Sequence, residues 1–562
     1  MLLSNLELLA TAPGGVAKLR ELILTLAVQG KLVPQDPADE PASRLLQKIR
    51  AEKDRLIAEG KIKKDKPLPP IAEEEKPFEL PVGWEWQRLA EFGNWAIGSG
   101  FPHEVQGRQG LPILFAKVSD MNLPGNEFNI VRTNNTIDDE TVARLRINVH
   151  PPGTVIFPKI GGAIATNKRR ILLQPTAIDN NCLGITPHRG VGTGFLFLLL
   201  SSIDFTLYQA GTSVPALSQG TLGQIPVGLP PLAEQSRIVA RVEELMRLCD
   251  ALDAKGQLEA TQHAQLLSTL LGTLTASTTP EELADNWQRV AQHFDLLLDR
   301  PQAIDTLEQT LLQLAVRGLL VPQDPADEPA SVLLQSIRAE KDQLIAAGQI
   351  KRDKQLPPIT DEEKPFELPA GWEWARFPEL GQFGRGKSKH RPRNDPALFN
   401  PPIYPVVQTG EVARAKGVIQ EYHSKYSELG LAQSRLWPKG TLCITIAANI
   451  ADAAVLGFDA CFPDSVVGFI PADAIGEASY FLAFMETART QLVAFAPATA
   501  QKNINLEILE SVLIPIPPLA EMTRIVTRVT QLRRLCADLR QRLAERQSLQ
   551  ARLAEALVAS VA

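Results

Sequence analysis

The sequence predicts an α+β protein with two mixed α/β domains built from short strands and helices. Long antiparallel coiled-coil helices separate these domains, and a pseudo-twofold internal repeat relates them. Three observations predict this fold: a duplicated frame, two divergent inserts in matching places, and a long segment, Leu519–Ala562, that contains neither Gly nor Pro.

The duplicated frame is visible in the letters themselves. Residues Leu32–Ser43 return unchanged at Leu320–Ser331, 288 positions later. Pro230–Glu234 returns at Pro517–Glu521, 287 positions later. Solenoid repeats have periods of about 20–50 residues, so this pattern indicates a duplicated two-part module within one polypeptide.

The two inserts between the frame segments occupy matching places but show little likeness. Phe115–Ser119 stands in the first insert where Val406–Gly410 stands in the second. Drift after a plain structural duplication would blur frame and insert alike, so the pattern favours two interchangeable reading heads on a shared scaffold. The predicted domains are a helical region at 1–80, an insert domain at 81–228, a helical region at 229–368, an insert domain at 369–515 and a terminal helix at 516–562.

The local patterns of the first frame and of the inserts predict short elements. Helices are expected at 16–29 and 42–58, the second of them capped by Asp39. Apolar runs bounded by Gly and Pro predict short strands and helices in the inserts. The expected strands lie at 112–118, 153–157 and 440–446, and the expected apolar helices at 195–200 and 480–485.

Each insert is followed by a pattern typical of a long helix. Apolar residues at alternating steps of four and three predict a coiled-coil seam, and the second of these helices is roughly 60 Å long at 1.5 Å per residue. The simplest partner for each helix is its own repeat. The second seam comprises Ile525, Val529, Leu532, Cys536, Leu539, Leu543, Leu553 and Leu557. The first comprises Ile238, Val242, Leu245, Cys249, Leu252, Leu266 and Leu270, with a break at Gly256.

Composition excludes several classes of protein. Apolar residues make up 44% and charged residues 22% of the chain, as in ordinary globular proteins. The sequence has no apolar run of about 18 residues and no secretory signal, which predicts a cytoplasmic protein without a membrane contact. Five cysteines without a Cys-x-x-Cys pair predict reduced thiols and no zinc site. A net charge of −6 argues against nucleic-acid binding over the whole surface but leaves room for local basic patches.

One segment imitates a nucleotide-binding motif. Gly381–Ser388 fits the phosphate-loop pattern G-x-x-x-x-G-K-[ST], which requires a buried strand before it and a helix after it. The preceding Ala375–Leu380 is a poor buried strand, and Pro392 and Pro396 prevent a helix, so a nucleotide site is not predicted. Asn400–Ile403 resembles an amino-methyltransferase signature but ends in Ile, which indicates a proline turn. No catalytic constellation emerges, and the chain is expected not to be an enzyme.

The stretch Arg385–Arg393, which begins inside this motif, is basic and contains no acid, which is typical of a polyanion contact. A solvated charged face is the alternative. The candidate DNA-binding residues of this stretch are Arg385, Lys387, Lys389, His390, Arg391 and Arg393. In the first insert a Gly-rich backbone beside basic side chains would permit close approach to a duplex, and the candidates there are Lys159, Asn167, Lys168, Arg169 and Arg170.

Some of these residue types can read bases as well as bind phosphates. Arg can bind guanine O6 and N7, and Asn or Gln can bind adenine N6 and N7. Asn167, Arg170, Gln408 and Asn449 are therefore candidate base readers. An ordinary surface or turn role remains open for each of them.

The alternation of frame and divergent insert resembles the specificity subunit of a type I restriction–modification enzyme, over nearly the whole chain. Leu312–Gln323 and Pro230–Val239 resemble conserved blocks of that family. Gly100-Phe101 followed by Ala116–Asn122 is similar to the opening of many target-recognition domains, which adds Lys117 to the candidate DNA-binding residues. The sequence departs from the family at Glu521-Met522, where Glu-Gln is usual, and little consequence is expected.

The resemblance implies two target-recognition domains, each reading one half of a split site in double-stranded DNA. It also implies docking of two methyltransferase subunits and of restriction/translocase subunits. S-adenosylmethionine, ATP and Mg are then expected on those partners, with no cofactor on this chain. The half-sites are expected about one helical turn apart. A related methylation or phage-exclusion system without a nuclease, and a coiled-coil scaffold that binds protein alone, remain alternatives.

Overall fold

The chain forms two compact units, each of which contains one copy of the frame and one insert. The computed structural model describes residues 6–59, 68–211, 214–277, 279–352, 356–390, 392–447, 449–494 and 504–561. Unit 1 comprises Met1–Leu258 with Gln547–Ala562, and unit 2 comprises Glu259–Arg546. The insert of unit 1, from Glu85 to Leu229, is called head 1, and that of unit 2, from Glu373 to Ile516, is called head 2.

The helices of the first copy agree with the periodic patterns of the sequence. In chain order they are α1 (Leu6–Thr11), α2 (Gly15–Val28), α3 (Ala42–Ala58), α4 (Asp139–Leu145), α5 (Thr193–Ser202), α6 (Gln219–Gly223) and α7 (Leu232–Ala276). The strands are β1 (Glu85–Arg88), β2 (Gly93–Ile97), β3 (Ile113–Ala116), β4 (Asn129–Ile130), β5 (Thr136–Ile137), β6 (Val149–His150), β7 (Val155–Pro158), β8 (Arg170–Leu172), β9 (Thr176–Ile178), β10 (Cys182–Pro187) and β11 (Pro226–Leu229).

The second copy repeats this order after two helices of its own, α8 (Pro280–Gln292) and α9 (Phe294–Leu297). Its other helices are α10 (Pro301–Val316), α11 (Ala330–Ala346), α12 (Phe377–Leu380), α13 (Thr409–Arg414), α14 (Glu428–Ala432), α15 (Ser479–Ala494), α16 (Leu506–Ser511) and α17 (Leu519–Val561). Its strands are β12 (Glu373–Arg376), β13 (Gly381–Arg385), β14 (Tyr404–Val406), β15 (Val418–Ile419), β16 (Ser424–Tyr426), β17 (Leu436–Trp437), β18 (Leu442–Thr445), β19 (Ala453–Leu456), β20 (Ala460–Cys461), β21 (Val466–Pro471) and β22 (Leu513–Ile516).

The two heads have the same sheet topology although their sequences show little likeness. Head 1 contains a five-stranded sheet, β2-β10-β7-β8-β4, and a four-stranded sheet, β5-β3-β9-β6. Head 2 contains β13-β21-β18-β19-β15 and β16-β14-β20-β17. In both heads the first strand of the small sheet pairs in parallel with its inner neighbour, β3 with β9 and β14 with β20. A two-stranded ladder, β1-β11 or β12-β22, then leads the chain into the long helix. The predicted mixed α/β fold with an internal repeat is confirmed.

In both copies the same polar contacts join the frame segment before the head to the start of the long helix after it. Trp84 Nε1 donates to Glu234 Oε2 at 3.0 Å, and Trp372 Nε1 donates to Glu521 Oε2 at 3.0 Å. Asp39 was expected to cap α3, but Pro41 occupies the N-cap position. Asp39 instead accepts from Arg237 at 2.6 Å, and its counterpart Asp327 accepts from Arg524 at the same distance. The repeated blocks therefore keep the same residues because they make the same set of contacts in both copies. We call this set of contacts at the start of each long helix the joint.

The position that departs from the family pattern changes this joint. Gln235 is buried, accepts from the backbone N–H of Gly192 at 2.7 Å and donates to the carbonyl of Pro230 at 3.1 Å. Met522 takes the corresponding position in the second copy and is buried in the apolar core. There the buried Tyr480 hydroxyl donates to the carbonyl of Pro515 at 2.6 Å. The second joint replaces an amide by an apolar side chain and provides a phenol nearby.

Both long helices are continuous. Helix α7 runs through Gly256, where a break was expected, because a Gly on an open helix face costs only about 1 kcal/mol. The seam, however, slips by one residue in the second half of each helix. Leu266 and Leu553 are exposed at 53% and 48%, whereas Leu267 and Ala554 are buried. The predicted seam was therefore wrong at these two equivalent positions.

The slip follows from a change of packing partner along each helix. The first half of α7 packs on α2 within unit 1, whereas Leu267 packs on the helices α8–α10 within unit 2. Ala554 of α17 packs against Leu9 and Ala12 within unit 1. The long helices thus pack on frame helices as well as on the other long helix. The expected pairing of the two long helices alone omitted the frame helices.

Ion pairs along α10 fix the helix directions within unit 2. Asp299, just before α10, lies 3.4 Å from His263 of α7, and Arg317, just after it, donates to the carbonyl of Thr275. Helix α10 is therefore parallel to α7. The same Asp299 accepts from Arg546 through its carbonyl at 3.1 Å, while Asp305 accepts from Arg540 at 2.7 Å. Since α10 is antiparallel to α17, the α7 and α17 segments of unit 2 are antiparallel, as predicted.

One ion pair is present in both units with its signs reversed. In unit 1, Arg20 of α2 donates to Asp250 and Asp253 of α7, each at 2.8 Å. In unit 2, the residue 288 positions after Arg20 is Glu308, and it accepts from Arg540 at 2.6 Å. Arg540 lies 287 positions after Asp253, so the partners correspond as well. The same helix pair is joined by a cation on α2 and by an anion on α10.

The five cysteines are free and buried, as reduced thiols should be in a packed core. Cys249 and Cys536 lie at equivalent positions of the long helices and are 1% and 3% exposed. Their expected role as core residues is confirmed.

Candidate nucleic-acid interface

Each head brings three loops together where its two sheets meet. Two of them follow the parallel strands of the small sheet, and the third follows the first strand of the large sheet. We define junction 1 as Ser99–Phe101, Lys117 and Asp179–Asn181, and junction 2 as Lys387–Lys389, Gln408 and Pro463–Ser465. The carboxyl ends of parallel strands lie at one sheet edge, which brings distant parts of each insert together here.

Backbone hydrogen bonds hold the loops of each junction. In junction 1, Asp179 N–H donates to the carbonyl of Ala116 at 3.0 Å, and Ser99 N–H donates to that of Ile178 at 2.8 Å. In junction 2, Val407 N–H donates to the carbonyl of Cys461 at 2.9 Å. The two junctions are therefore built in the same way from unlike sequences.

A glycine permits the close crossing of strands in both junctions. A Cβ at Gly98 would lie 1.8 Å from the carbonyl oxygen of Asp179, and one at Gly386 would lie 2.3 Å from that of Pro463. Gly386 is the second glycine of the phosphate-loop pattern. Gly381–Arg385 is a strand paired with β21, and the described residues 386–390 and 392–395 form no helix. The motif thus arises from a strand crossing and lacks the helix that a phosphate loop requires.

Lys117 lies at the centre of junction 1. Its backbone N–H donates to Asp120 Oδ2 at 2.8 Å, which begins a short 3-10 helix, Val118–Asn122. Its ammonium lies 4.5 Å from the centre of the Phe101 ring, a cation–π contact. Gln408 has the corresponding place in junction 2, where it is exposed and its backbone N–H donates to Glu411 Oε2 at 3.0 Å.

Three further candidates of head 1 surround the same short helix. Lys168 Nζ donates to Asn122 Oδ1, and Arg170 Nη2 donates to the carbonyl of Met121 at 2.8 Å. Burial lowers the pKa of the Arg170 guanidinium, and the nearby Glu127 opposes this shift. Lys159 N–H donates to the carbonyl of Asn181, a junction residue, at 2.9 Å. Lys168 and Arg170 therefore contact the end of the short helix that Lys117 begins, Lys159 contacts the loop after β9, and Arg170 is half-buried in doing so.

Arg169 has a structural role instead. It is 2% exposed, its Nε donates to the carbonyl of Leu200 at 3.0 Å, and its guanidinium lies 4.0 Å from the Phe205 ring centre. Burial lowers the pKa of Arg169 to about 9. A cation at the C-terminal end of α5 satisfies terminal carbonyls and the helix dipole. Arg169 is withdrawn from the DNA-binding candidates because its donors face the interior.

Two other candidates lie at tight backbone turns. Asn167 has a left-handed conformation, φ 48°, and donates through Nδ2 to the carbonyl of Ser201 at 2.9 Å. Its counterpart before β19 is Ala451, at φ 59°. Asn449 is exposed and its carbonyl accepts from Thr445. The turn role left open for these residues is the one that the structure displays.

The basic stretch of head 2 contains a neighbouring acid that the local sequence did not reveal. Asp464 accepts from Arg393 at 2.9 Å through its carboxylate and from Arg385 through its backbone carbonyl. His390 lies 2.8 Å from Asp395, whose pKa is lowered by the backbone N–H of Ala397 and by His390. Lys387 and Lys389 are exposed in junction 2, and Arg391 lies outside the described residues. The stretch is therefore less cationic in three dimensions than in sequence.

Sequence reasoning missed the loop of each junction that follows the second parallel strand, Asp179–Asn181 after β9 and Pro463–Ser465 after β20. Asn180 and Asn181 follow β9, and Asn180 lines an open cleft of about 450 Å³ with Phe101 and the segment 145–148. The signal was the polar triplet Asp179–Asn181 between two buried strands. Amides placed there have the donors and acceptors that base edges require.

The described part of the chain has neither a cluster of His, Cys, Asp and Glu residues that could bind a metal ion nor a helix long and apolar enough to cross a membrane.

Comparison with known proteins decides the family. The family described as Type I restriction modification DNA specificity domain matches the chain twice, at residues 81–262 and 369–546. This chain belongs to that family. The two matches contain the two heads and the first parts of the helices that follow them.

Relatives of the family align along most of the chain. The Type I restriction enzyme EcoEI specificity subunit of Escherichia coli is 35% identical over 97% of this chain and 93% of that subunit. The EcoAI specificity subunit of Escherichia coli is 43% identical over 66% of this chain and 63% of that subunit. One solved structure is described as the basis of complex assembly and conformational transition of the type I R-M system. A chain of that structure is 20% identical over 86% of this chain, with a TM-score of 0.49.

Proposed function

We propose that this chain is the DNA-sequence specificity subunit of a type I restriction–modification complex. The main observation in support is that two heads of the same topology, on a duplicated frame, present different side chains at equivalent junctions. A chain that reads a split, asymmetric DNA site requires this combination. Each head reads one half of the site, and the two halves differ because Lys117 and Gln408, like their neighbours, differ.

The frame supplies the docking surfaces for the partners. Two methyltransferase subunits bind the two copies of the frame, and restriction/translocase subunits complete the complex. S-adenosylmethionine, ATP and Mg²⁺ are bound by those partners, and this chain contributes no bond-breaking step. Family membership and the repeated joints at Glu234 and Glu521 support this division of roles. The place of action is the cytoplasm, where the DNA is.

The decisive experiment maps methylated bases in a methylation-free host that carries this chain and its methyltransferase. We expect one bipartite motif. Replacing residues 90–225 with the head of another family member should change one half of that motif and leave the other half intact. A change in both halves would refute the two-head arrangement.

A protein-only scaffold predicts a different result. Such a chain would leave the methylation pattern independent of its heads and would not bind duplex DNA with its partners present. A methylation system without a nuclease would give the same bipartite motif as the proposed complex, and cleavage of unmodified DNA separates the two.

A further inference from the structure

The two junctions hold residues of different type on the same backbone geometry. Lys117 has φ −109° and ψ 165°, and Gln408 has φ −101° and ψ 171°. Both precede a short helix, and in both the carboxylate three residues later, Asp120 or Glu411, accepts the backbone N–H. Both also follow a strand that pairs in parallel with the next inner strand. The backbone at this position is therefore constant while the side chain changes.

A position that reads DNA bases requires this combination. Its backbone must be held by the surrounding structure so that the side chain meets a base at a reproducible distance. Its side chain must vary if the two heads are to recognise different half-sites. Lys donates to guanine O6 and N7, and Gln can form paired hydrogen bonds with adenine N6 and N7.

We propose that Lys117 and Gln408 are the equivalent base-reading residues of the two heads. Lys117 takes a guanine in one half-site, and Gln408 takes an adenine in the other. This assignment rests on the proposed function and deepens it, because it names the residue in each head on which one base pair depends.

The environment of Lys117 keeps its donors available. The ammonium lies over the face of Phe101 rather than against a carboxylate, and a ring face orients the amine without taking up all of its N–H groups. Phe101 itself packs on the buried Phe115, with ring centres 4.9 Å apart. The packed rings of Phe101 and Phe115 thus orient the Lys117 side chain.

The other cationic and amide candidates are more committed to the protein. Arg169 is buried, and Arg170 donates to the carbonyl of Met121. Arg393 donates to Asp464, and Asn167 donates to the carbonyl of Ser201. These contacts stabilise the heads, whereas the side chain of Gln408 is exposed at the junction.

The test compares methylation motifs of the full chain with its methyltransferase in a methylation-free host. The variants are Lys117→Gln and Gln408→Lys. Lys117→Gln should lower methylation at guanine-containing sites relative to adenine-containing sites by roughly tenfold or more at one position, since the contact to guanine is lost and Gln suits adenine. That position should lie in the half assigned to head 1 by head exchange. Gln408→Lys should have the converse effect in the other half.

Matched controls separate reading from general damage. Lys48→Gln, at an α3 side chain that is 65% exposed, and Gln541→Lys on α17 make the same changes of chemistry away from the heads. Because the frame is the proposed docking surface, they affect at most the amount of methylation and should preserve the motif. Lys117→Arg keeps donors that suit guanine and should preserve it as well. If Lys117→Gln abolishes methylation, retention in Lys117→Arg supports the proposal.

Two results would overturn it. One is an unchanged motif in both Lys117→Gln and Gln408→Lys. The other is loss of methylation in Lys117→Gln and Lys117→Arg alike, with the wild-type thermal transition retained, which would give Lys117 a role other than choosing a base. Absence of any sequence-specific methylation by the wild-type chain would instead refute the proposed function.

Discussion

The two repeats share the contacts at the start of the long helix, but further along that helix they keep the position of a contact and exchange the chemistry of its partners. Arg20 joins α2 to acids of α7 in unit 1, whereas Glu308 joins α10 to arginines of α17 in unit 2. A strand-to-helix contact in the heads differs likewise. In head 1 the cation is Arg169 on the strand side, and in head 2 it is Arg489 on α15, which lies 2.7 Å from Asp452. The two copies therefore share their helix arrangement, whereas the charges invert at the Arg20 and Glu308 contacts but not at Asp39–Arg237 and Asp327–Arg524.

The largest expected effect separates the two strand-to-helix contacts. Arg169→Ala should cost about 3–4 kcal/mol, since it empties a buried site between aromatic rings and leaves the Leu200 carbonyl unpaired. Arg489→Ala should cost below about 1 kcal/mol, because the side chain is 55% exposed and its ion pair is screened. Denaturant unfolding of both variants measures the difference. Equal losses would contradict the structural role of Arg169.

The inverted ion pair can be broken and then restored. Glu308→Arg faces Arg533 and Arg540 with a third cation and should cost about 2 kcal/mol, below the 3–5 kcal/mol of fully buried pairs. Adding Arg540→Asp recreates the signs of unit 1 and should recover at least half of the loss. Thermal unfolding of the single and double variants gives the coupling. Additive effects would show that the pair does not stabilise the helices.

The joint at the start of the long helix offers a smaller comparison. Met522→Gln places an amide in an apolar core and should cost about 1–2 kcal/mol. Gln235→Met leaves the Gly192 N–H without its acceptor and should cost about 1–2 kcal/mol as well. Unfolding midpoints of the two variants test both. A neutral Met522→Gln variant would mean that this position tolerates either residue.

The smallest effect concerns the equivalent buried carboxylates Glu234 and Glu521 of the two copies. Burial raises the pKa of Glu521, opposed by the hydrogen bond from Trp372. The folded chain thus holds this proton more tightly than the unfolded chain, so ionised Glu521 lowers stability at neutral pH. Glu521→Gln should therefore keep or raise stability at neutral pH, and its advantage should shrink as the pH falls through the raised pKa.

A control for this pH dependence exists in unit 1. Glu234 accepts from Gln35 as well as from Trp84, so Glu234→Gln turns an amide towards a donor and should lower stability at neutral pH. Thermal unfolding at neutral and mildly acidic pH compares the two variants. Equal behaviour would mean that the Gln35 contact does not distinguish the copies.

The frame could be predicted from the sequence because its information is local. Leu32–Ser43 repeats letter by letter, and the helices at 42–58 and 519–561 follow from periodicity and from the absence of Gly and Pro. The seam slip at Leu266 and Leu553 could not be predicted, because the partner of a helix face is set by tertiary packing. Gly256 shows the converse, since a residue that breaks a pattern need not break a helix.

The heads and their site were predicted only in part. Their common topology depends on pairings between distant strands, which leave no trace in the aligned letters of β3 and β14. Arg169 looked like a DNA contact because sequence shows charge but not burial. The basic stretch looked unopposed because Asp464 lies far along the chain. Lys117 and Gln408 were identified as candidates at matching places of the two inserts, but their shared backbone geometry was visible only in the structure.

The inverted ion pair has a consequence for a chain with only one repeat. Such a chain would result from joining the block Leu32–Ser43 directly to the residues that follow its copy Leu320–Ser331. The shortened product would carry α2 ahead of head 2 and α17, and Arg20 would then face Arg540 instead of an acid. Like charges at that contact would disfavour the single-repeat chain, so the charge inversion makes the two frame copies poor substitutes for each other.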